Sequence, residues 1–254
     1  MQVLLTNDDG VNAPGLGALA QRLCAEGHRV VVLAPAHDCS GSGAAIGPVR
    51  LDRTTLLQRT TLPGLQSVRA YALPSPPAMC VLTAFLGNLD LVPDVVVSGI
   101  NAGPNTGRVI LHSGTVGAAL AAAQFGARAL AVSHGAMKGP RCWSGAASLA
   151  AAMLPWLCAS PPATVINLNV PQTSDGEIPS VRIARLAEFN EGLRIQIADE
   201  DDGAHELSWR PSAARYPADT DTALLAKGFA TITSLQGIAE SKIDLNQLTA
   251  TLDV

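Results

Sequence analysis

The chain opens with Val3-Leu4-Leu5-Thr6-Asn7-Asp8-Asp9-Gly10, a short apolar run that leads directly into two adjacent carboxylates. The apolar residues predict a first, buried β-strand of an open α/β sheet, and such sheets bind their ligands where the strands end. Neighbouring carboxylates repel each other when both are ionised, so hydrogen bonds, a shared proton or a divalent cation must offset the repulsion. A hard cation with oxygen ligands is the simplest solution. The alternative is a polar turn whose aspartates stabilise the N-terminus of the next helix.

The length and composition favour one α/β domain that carries an extension. A chain of 254 residues can bury a sizeable core. Hydrophobic residues make up 48% of the chain and aromatic residues only 4%, which is typical of a parallel sheet built from Val, Leu, Ile and Ala and covered by helices. We therefore expect a mostly parallel sheet flanked by helices.

Short apolar runs alternate with longer segments of helical period, and this alternation predicts successive βαβ units. The predicted strands are residues 2–6, 29–34, 68–72, 94–98, 129–133 and 164–168. The predicted helices are residues 14–26, 77–88, 115–126 and 144–158. The loops that follow the strands should then meet at one edge of the sheet.

From about residue 178 the pattern changes to an alternation of period two around the turn-rich residues 190–192. This alternation predicts a β-hairpin. Its apolar positions are Val181, Ile183, Leu193, Ile195 and Ile197. The acidic residues 199–203 are interpreted as a solvated turn, and residues 229–235 and 241–249 as a strand and a short helix. Because a hairpin cannot bury an apolar face alone, we expect it to pack on another subunit.

Charge and cysteine content exclude several classes of partner. The formal net charge is −4, so a nucleic acid polymer is a poor partner, although a single phosphate group remains suitable. The five cysteines form no C-x-x-C pair, which favours a reducing cytoplasm. No apolar run approaches the ~18 residues of a membrane span, so we expect no membrane partner.

Three further loops follow predicted strands and are rich in Gly, Ser and Asn. They comprise residues 34–43, residues 98–107 and residues 112–117. The last of these, with Ser113, Gly114 and Thr115, opens a helix, where free N–H groups favour an anion. Taken alone, residues 98–107 are also compatible with a tight turn, and Ser113 with a simple N-cap. Together the loops place oxygen ligands for a cation beside a site for an anion.

These motifs resemble the survival protein SurE family. The resemblance covers residues 4–10, 13–16, 98–101, Asn105 and 113–119, is weaker at residues 165–171, and returns at residues 220–221 and 228–235. It implies a metal-dependent 5′-nucleotidase with a Rossmann-like core and an exchanged C-terminal part. We therefore expect a single domain over residues 1–254, with a core of about 1–175 and a hairpin and swapped C-terminal extension of about 176–254, in a homodimer or homotetramer.

Carried over by position, the resemblance implies one divalent ion per subunit, Mg²⁺ or Mn²⁺. Its ligands would be Asp8, Asp9, Ser40 and Asn101, and either Asp8 or Asp9 would act as the general base. The phosphate of a small nucleotide-like substrate would contact Asn105, Ser113, Gly114 and Thr115. Hard ions suit carboxylate, hydroxyl and amide oxygens.

Several neighbours of these residues depart from the family pattern. Ala36 and His37 stand where the family usually has Asp-Arg, Arg108 begins what is usually an acidic pair, and His112 replaces a usual Tyr. Two further departures are Ala121, in place of a Glu, and Met79, in place of an Asp in a Gly-Thr-Pro-Ala-Asp-Cys segment. This pattern suggests retained phosphate-ester chemistry with altered substrate preference or assembly.

Arg108 and His112 are accordingly candidate substrate-binding residues. Arg108 could pair with a second phosphate or a carboxylate, and His112 could donate to the leaving oxygen. The simpler interpretations are a solvent-facing arginine and a packed histidine. The alternative to an enzyme is a non-catalytic nucleotide- or phosphate-binding protein. A dinucleotide fingerprint at residues 15–20, with Asp38 as the ribose acid, is weak because the glycines lie too far past the strand.

Overall fold

The computed structural model describes residues 1–48, 52, 54–87, 89–135, 141–173, 177–188, 193–199, 205–211 and 216–244. The strands are β1 (Gln2–Thr6), β2 (Arg29–Pro35), β3 (Gln58–Leu62), β4 (Leu65–Leu73), β5 (Val95–Asn101), β6 (Arg128–His134), β7 (Val165–Val170), β8 (Val181–Ile183), β9 (Leu193–Asp199), β10 (His205–Pro211) and β11 (Ala230–Leu235). The helices are α1 (Pro14–Ala25), α2 (Pro77–Leu86), α3 (Gly114–Ala123), α4 (Ser144–Ala159) and α5 (Asp221–Ala226), and a 3-10 helix spans Arg108–His112.

In the described part of the chain, nine strands form one sheet in the order β3-β4-β2-β1-β5-β6-β7-β11-β8. The strands from β4 to β7 run parallel, β3 and β11 are antiparallel to their neighbours β4 and β7, and β8 is parallel to β11. The first four strands form one half of the sheet, with β2, β4 and β3 on one side of β1. The chain then crosses to β5, which lies on the other side of β1. This switch point is where open α/β sheets bind ligands.

Apolar side chains cover both faces of the sheet, because successive residues of a strand point to opposite sides. In β1, Val3 and Leu5 join the core beneath α1 and α4, while Leu4 joins the core beneath α2 and α3. In α1, the buried Leu16, Leu19 and Leu23 recur at helical spacing, and Pro14 begins the helix, where its missing N–H costs nothing.

The fold class and the main elements predicted from the sequence are confirmed. All six predicted strands and all four predicted helices occur, with bounds that differ by at most a few residues. Strand β3 escaped prediction because its sequence is mostly polar and Leu62 is its only buried residue. Strand β11 confirms the predicted strand at residues 229–235.

The prediction of the C-terminal hairpin needs a correction. An antiparallel hairpin is present, but it joins β9 to β10, whereas Val181–Ile183 adds to the main sheet beside β11. Periodicity shows which residues form strands, but it does not select the partner strand. Residues 190–192 and 200–203 lie outside the described residues. Of the predicted terminal helix, residues 241–244 are not helical and residues 245–249 lie outside the described residues.

No helix in the described ranges is long and apolar enough to cross a membrane. All five cysteines are free thiols.

Helix α1 packs tightly against the end of β5, and Gly15 permits this contact. A Cβ atom at Gly15 would lie 2.1 Å from the carbonyl oxygen of Ile100 and 3.2 Å from the Trp143 ring. Gly17 lies in the same helix, and a Cβ atom there would meet no other atom within 4 Å. The first glycine is therefore a packing requirement, and the second is not.

We expect Gly15→Ala to destabilise the protein by about 1–3 kcal/mol through overpacking. Gly17→Ala should instead stabilise it by up to ~1 kcal/mol, because alanine is the better helix former. Urea unfolding of both variants measures the difference. Equal stabilities for the two variants would contradict the packing described for α1 and β5.

Candidate active site

Four segments meet at the carboxyl edge of the sheet, around the end of β1. Strand β1 lies between the parallel strands β2 and β5. The loop after β1 carries the two aspartates, the loop after β2 includes residues 36–43, and the loop after β5 includes residues 102–107. The N-terminus of α3 is the fourth segment. The hydrogen bonds described below join these segments directly.

Asp8 is a buried carboxylate, with 3% of its surface exposed. The hydroxyl of Thr115, in the first turn of α3, donates to Asp8 Oδ1. The backbone N–H of Cys39 donates to the Asp8 carbonyl oxygen at 2.7 Å. Asp8 thereby connects the end of β1 to the loop after β2 and to α3.

Gly114 allows α3 to approach Asp8 this closely. A Cβ atom at Gly114 would lie 2.7 Å from Asp8 Cβ, 2.9 Å from Asp8 Oδ2 and 2.7 Å from Ser42 Oγ, so any larger residue would collide with the carboxylate. Ser42 Oγ is buried and has no hydrogen-bond partner in the described part of the chain. Ser42 therefore brings a second hydroxyl close to Asp8, and the sequence did not predict it.

Asp9 is less buried and holds the loop after β5. Its Oδ2 accepts a hydrogen bond from the backbone N–H of Ala102 at 3.2 Å. The carbonyl oxygen of Ala102 accepts in turn from Arg141 Nη2 at 2.7 Å. This stretch of the loop is therefore held between a carboxylate and a guanidinium group.

Burial raises the pKa of both aspartates. For Asp8, desolvation is the main cause, and the hydrogen bond from Thr115 opposes it. For Asp9, desolvation and then the charge of Asp8 raise the pKa to about 6, while the N–H of Ala102 and the charge of Arg141 oppose the shift. Two ionised carboxylates are therefore unfavourable here, and a bound cation would relieve both the burial and the repulsion.

Ser40 lies next to a third carboxylate, Asp38. The backbone N–H and the hydroxyl of Ser40 donate to Asp38 Oδ1 at 2.8 and 2.6 Å, and these bonds lower the pKa of Asp38. The charge of Asp38 in turn raises the pKa of Asp8 and Asp9. Because the Ser40 hydroxyl gives its hydrogen to Asp38, the lone pairs of its oxygen are available to a cation.

Asn101 ends β5 and directs its amide nitrogen into the loop. Its Nδ2 donates to the carbonyl oxygen of Gly103 at 2.7 Å, which leaves the side-chain oxygen as the group available to a ligand. Within the described ranges, no group of three or more His, Cys, Asp or Glu residues could hold a metal ion. The donors that these segments offer to a cation are two carboxylates together with hydroxyl and amide oxygens, a set that suits a hard ion.

Asn105 is held by a buried polar network from β6 and β7. Its backbone N–H donates to Asn169 Oδ1 at 2.8 Å, and its Nδ2 donates to Ser133 Oγ at 2.9 Å. Its carbonyl oxygen accepts from the amide nitrogens of Asn167 and Asn169, each at 2.8 Å. The position of this loop residue is therefore fixed by two strands of the sheet.

The hydroxyls at the start of α3 are engaged by the protein itself. Ser113 Oγ caps the helix by accepting from the backbone N–H of Val116 at 3.2 Å, as the alternative interpretation predicted, and the Thr115 hydroxyl binds Asp8. The groups of this turn best suited to an anion are its backbone N–H groups, since the first turn of a helix has no internal acceptors for them.

Arg108 and His112 lie at the two ends of the exposed 3-10 helix that precedes α3. Arg108 Nε is 2.8 Å from Glu188 Oε2 in a solvent-exposed ion pair. The carbonyl oxygen of His112 accepts from the backbone N–H of Gly43 at 3.0 Å, so its backbone contacts the loop after β2. The pairing of Arg108 with Glu188 agrees with the simpler interpretation of a solvent-facing arginine.

Sequence reasoning missed several residues that shape this site. Asp38 was considered only as the ribose acid of a dinucleotide site, although its position two residues before Ser40 could have indicated an Asx-type turn. Ser42 and Arg141 carry no motif that relates them to the two aspartates, and Asp221 belongs to the resemblance at residues 220–221 without an assigned role. Only the folded chain brings them together.

The fold and the site define an α/β protein with paired carboxylates and a helix N-terminus at the switch point of its sheet. The chain belongs to the family described as survival protein SurE, whose family model matches residues 3–192. The resemblance inferred from the sequence is thereby confirmed. Membership in this family implies dependence on a divalent metal.

Relatives of known name cover nearly the whole chain. The chain is 36% identical to a protein named 5′-nucleotidase SurE from Carboxydothermus hydrogenoformans, over 98% of this chain and 95% of the relative. It is 33% identical to a 5′/3′-nucleotidase SurE from Yersinia pseudotuberculosis, over 98% of this chain and 93% of the relative. The crystal structure of SurE protein from Aquifex aeolicus matches the fold with a TM-score of 0.82 and 24% identity, over 100% of both chains.

Asp9→Asn should stabilise the metal-free protein at pH 7.5. The folded-state pKa of Asp9, about 6, lies above the ordinary value of 3.8, so stability is lost as the pH rises through this interval. Removing the charge should recover ~1–2 kcal/mol, a value reduced for the partial exposure of Asp9. The gain should be larger at pH 7.5 than at pH 5.

Urea unfolding in EDTA at both pH values measures this gain. Asp94→Asn is the matched control, because Asp94 lies at the opposite edge of the sheet, where it accepts from the backbone N–H of Gln2. An Asp9→Asn variant less stable than wild type at pH 7.5 would contradict the electrostatic argument.

Proposed function

We propose that this chain is a divalent-metal-dependent phosphomonoester hydrolase that acts on nucleoside 5′-monophosphates. The observation that carries the proposal is the direct contact between the Asp8 carboxylate and the first turn of α3. This contact brings Asp8, a proposed cation ligand, beside backbone N–H groups that suit an anion. The nucleotidase names of the relatives support the same reaction.

In this proposal, one Mg²⁺ or Mn²⁺ ion per subunit would be held by Asp8, Asp9, Ser40 and Asn101. Asp8 Oδ2, which the Thr115 hydroxyl does not contact, the lone pairs of Ser40 Oγ and the side-chain oxygen of Asn101 support this ligand set. When bound, such an ion neutralises charge on phosphoryl oxygens and lowers the pKa of a water molecule.

The chain's own residues have separate roles in this proposal. Thr115 fixes the orientation of Asp8, and Asp9 takes the proton of the attacking water through the oxygen that Ala102 does not occupy. Asn105 and the backbone of Gly114 orient the phosphate in line with that water. Ser113 and Thr115 contribute to phosphate binding through the helix turn that their side chains stabilise.

Substrate preference and assembly are further parts of the proposal. Arg108 and His112, at the two ends of the 3-10 helix before α3, together with the departures at Ala36, His37, Met79 and Ala121, would alter the preferred substrate. The extension predicted over residues 176–254 would assemble a homodimer or homotetramer, with the exchange limited to the β9–β10 hairpin, because β11 pairs with β7 of the same chain and β8 pairs with β11. Ile195, Ile197 and Leu207 of the β9–β10 hairpin are exposed, which supports contact with another subunit. The site would serve small substrates in the cytoplasm.

Asp9→Asn should abolish turnover. Loss of this carboxylate removes both a cation ligand and the base, and we expect kcat/KM to fall by about 10³-fold or more. Phosphate release from nucleoside 5′-monophosphates in Mn²⁺, Mg²⁺ or EDTA measures the effect, with Asp94→Asn as the active control. Near-normal activity of Asp9→Asn in saturating Mn²⁺ would overturn the assignment, and tight AMP binding without phosphate release by the wild type would favour a binding protein.

Arg108→Ala should lower kcat/KM about tenfold for substrates with a second phosphate, with little change for monophosphates. Glu188→Ala is the matched control, since it breaks the same surface ion pair and keeps the guanidinium. Rates across nucleoside mono-, di- and triphosphates measure the ratio. A uniform loss, or no loss, would argue against a specificity role.

A further inference from the structure

Asp221 is a fully buried carboxylate to which the proposed reaction assigns no step. It begins α5, in the C-terminal part of the chain, 114 positions after Gly107. Its Oδ2 accepts from the backbone N–H of Gly107 at 2.8 Å. Its Oδ1 accepts from the backbone N–H groups of Ala187 at 3.0 Å and Thr222 at 2.8 Å. Both oxygens are therefore used, and one of them holds the loop that follows β5.

Neighbouring contacts reinforce this connection. The hydroxyl groups of Thr222 and Thr106 are hydrogen bonded at 3.0 Å, and the backbone N–H of Arg108 donates to the Ala187 carbonyl oxygen at 2.9 Å. Three consecutive loop residues thus contact the C-terminal part of the chain. Gly107 has φ +66, a backbone conformation that favours glycine, and a Cβ atom there would make a tight contact of 3.1 Å with the Ala187 carbonyl oxygen.

The same loop is fixed from its other side by β6 and β7. Asn105 is held by Asn167, Asn169 and Ser133, and it lies only two residues before Gly107. Directly after Gly107, the 3-10 helix leads into Ser113 and the first turn of α3. Gly107 therefore joins the two segments that would contact phosphate, and Asp221 determines where it lies.

We infer that Asp221 is a positioning residue for phosphate binding, which holds Gly107 so that Asn105 and the α3 N-terminus keep their relative places. The inference rests on the proposed function, because it takes Asn105 and α3 as the phosphate contacts. It assigns part of the site to α5, beyond the parallel strands that carry the metal ligands. Position 221 requires a side chain with two acceptor oxygens, because three backbone N–H groups donate to the Asp221 carboxylate.

Asp221→Asn tests this requirement at nearly constant shape. Asparagine keeps one acceptor oxygen, but its NH₂ group would face a backbone N–H of Gly107 or Ala187, leaving that donor unpaired. We expect the KM for AMP and the inhibition constant of inorganic phosphate to rise about tenfold. Mn²⁺ affinity, measured by electron paramagnetic resonance, should stay within about twofold of wild type, because Asp221 contacts none of the proposed metal ligands.

Asp219→Asn is the matched control. Asp219 lies two residues earlier, is exposed, and pairs with Arg185 at the surface, so its loss should leave the phosphate constants unchanged. Hydrogen exchange gives a readout that needs no activity. Peptides that cover residues 103–108 should exchange faster in Asp221→Asn than in wild type or Asp219→Asn, whereas peptides that cover residues 2–9 should not change.

The inference is overturned if exchange at residues 103–108 and the phosphate inhibition constant of Asp221→Asn both equal those of wild type. It is also overturned if Mn²⁺ affinity falls as much as phosphate affinity, or if exchange rises throughout the chain, since either result indicates general destabilisation. Failure of the wild type to release phosphate from any nucleotide would refute the proposed function separately, because the exchange measurement does not depend on turnover.

Discussion

The close approach of the α3 N-terminus to the Asp8 carboxylate is the constraint on which the rest of the site depends. It requires a glycine at position 114, because a side chain there would collide with Asp8. It also buries Asp8, whose remaining stabilisation comes from the Thr115 hydroxyl and the helix turn. Asp9 is adjacent to Asp8 in the chain and is also partly buried. Its desolvation and the charge of Asp8 both raise the pKa of Asp9.

A site of this kind destabilises the metal-free protein and gains stability when a cation binds. The N–H of Ala102 and the charge of Arg141 offset only part of the free-energy cost of ionising the buried Asp9. Asp38 adds further negative charge nearby. A ligand that binds only the folded state stabilises it through mass action. The same charges that would hold the ion therefore connect folding stability to metal binding, which fits a family that depends on a divalent metal.

The C-terminal part of the chain contributes to the main sheet as well as to an exposed hairpin. Strand β11 pairs with β7, and β8 extends the sheet beyond it. Helix α5 precedes β11 and brings Asp221 to the loop after β5. A division of the chain near residue 175 therefore separates two parts of the sequence that belong to the same sheet and meet at the loop after β5. In the β9–β10 hairpin, Ile195 and Ile197 are exposed.

The sequence by itself determined the alternating strands and helices of the core, apart from β3, and the segments that carry the site. Buried parallel strands are strongly apolar, and polar motifs follow them directly, as at Asp8, Asn101 and Asn105. Only the tertiary structure decided which hydroxyl binds which group, which strand pairs with β8, and that Arg141 and Asp221 reach the loop after β5. The physical reason is the separation of these residues along the chain. Thr115 and Asp8 are 107 positions apart, so the hydrogen bond between them depends on the packing of whole helices against the sheet. Local sequence patterns carry no information about such distances.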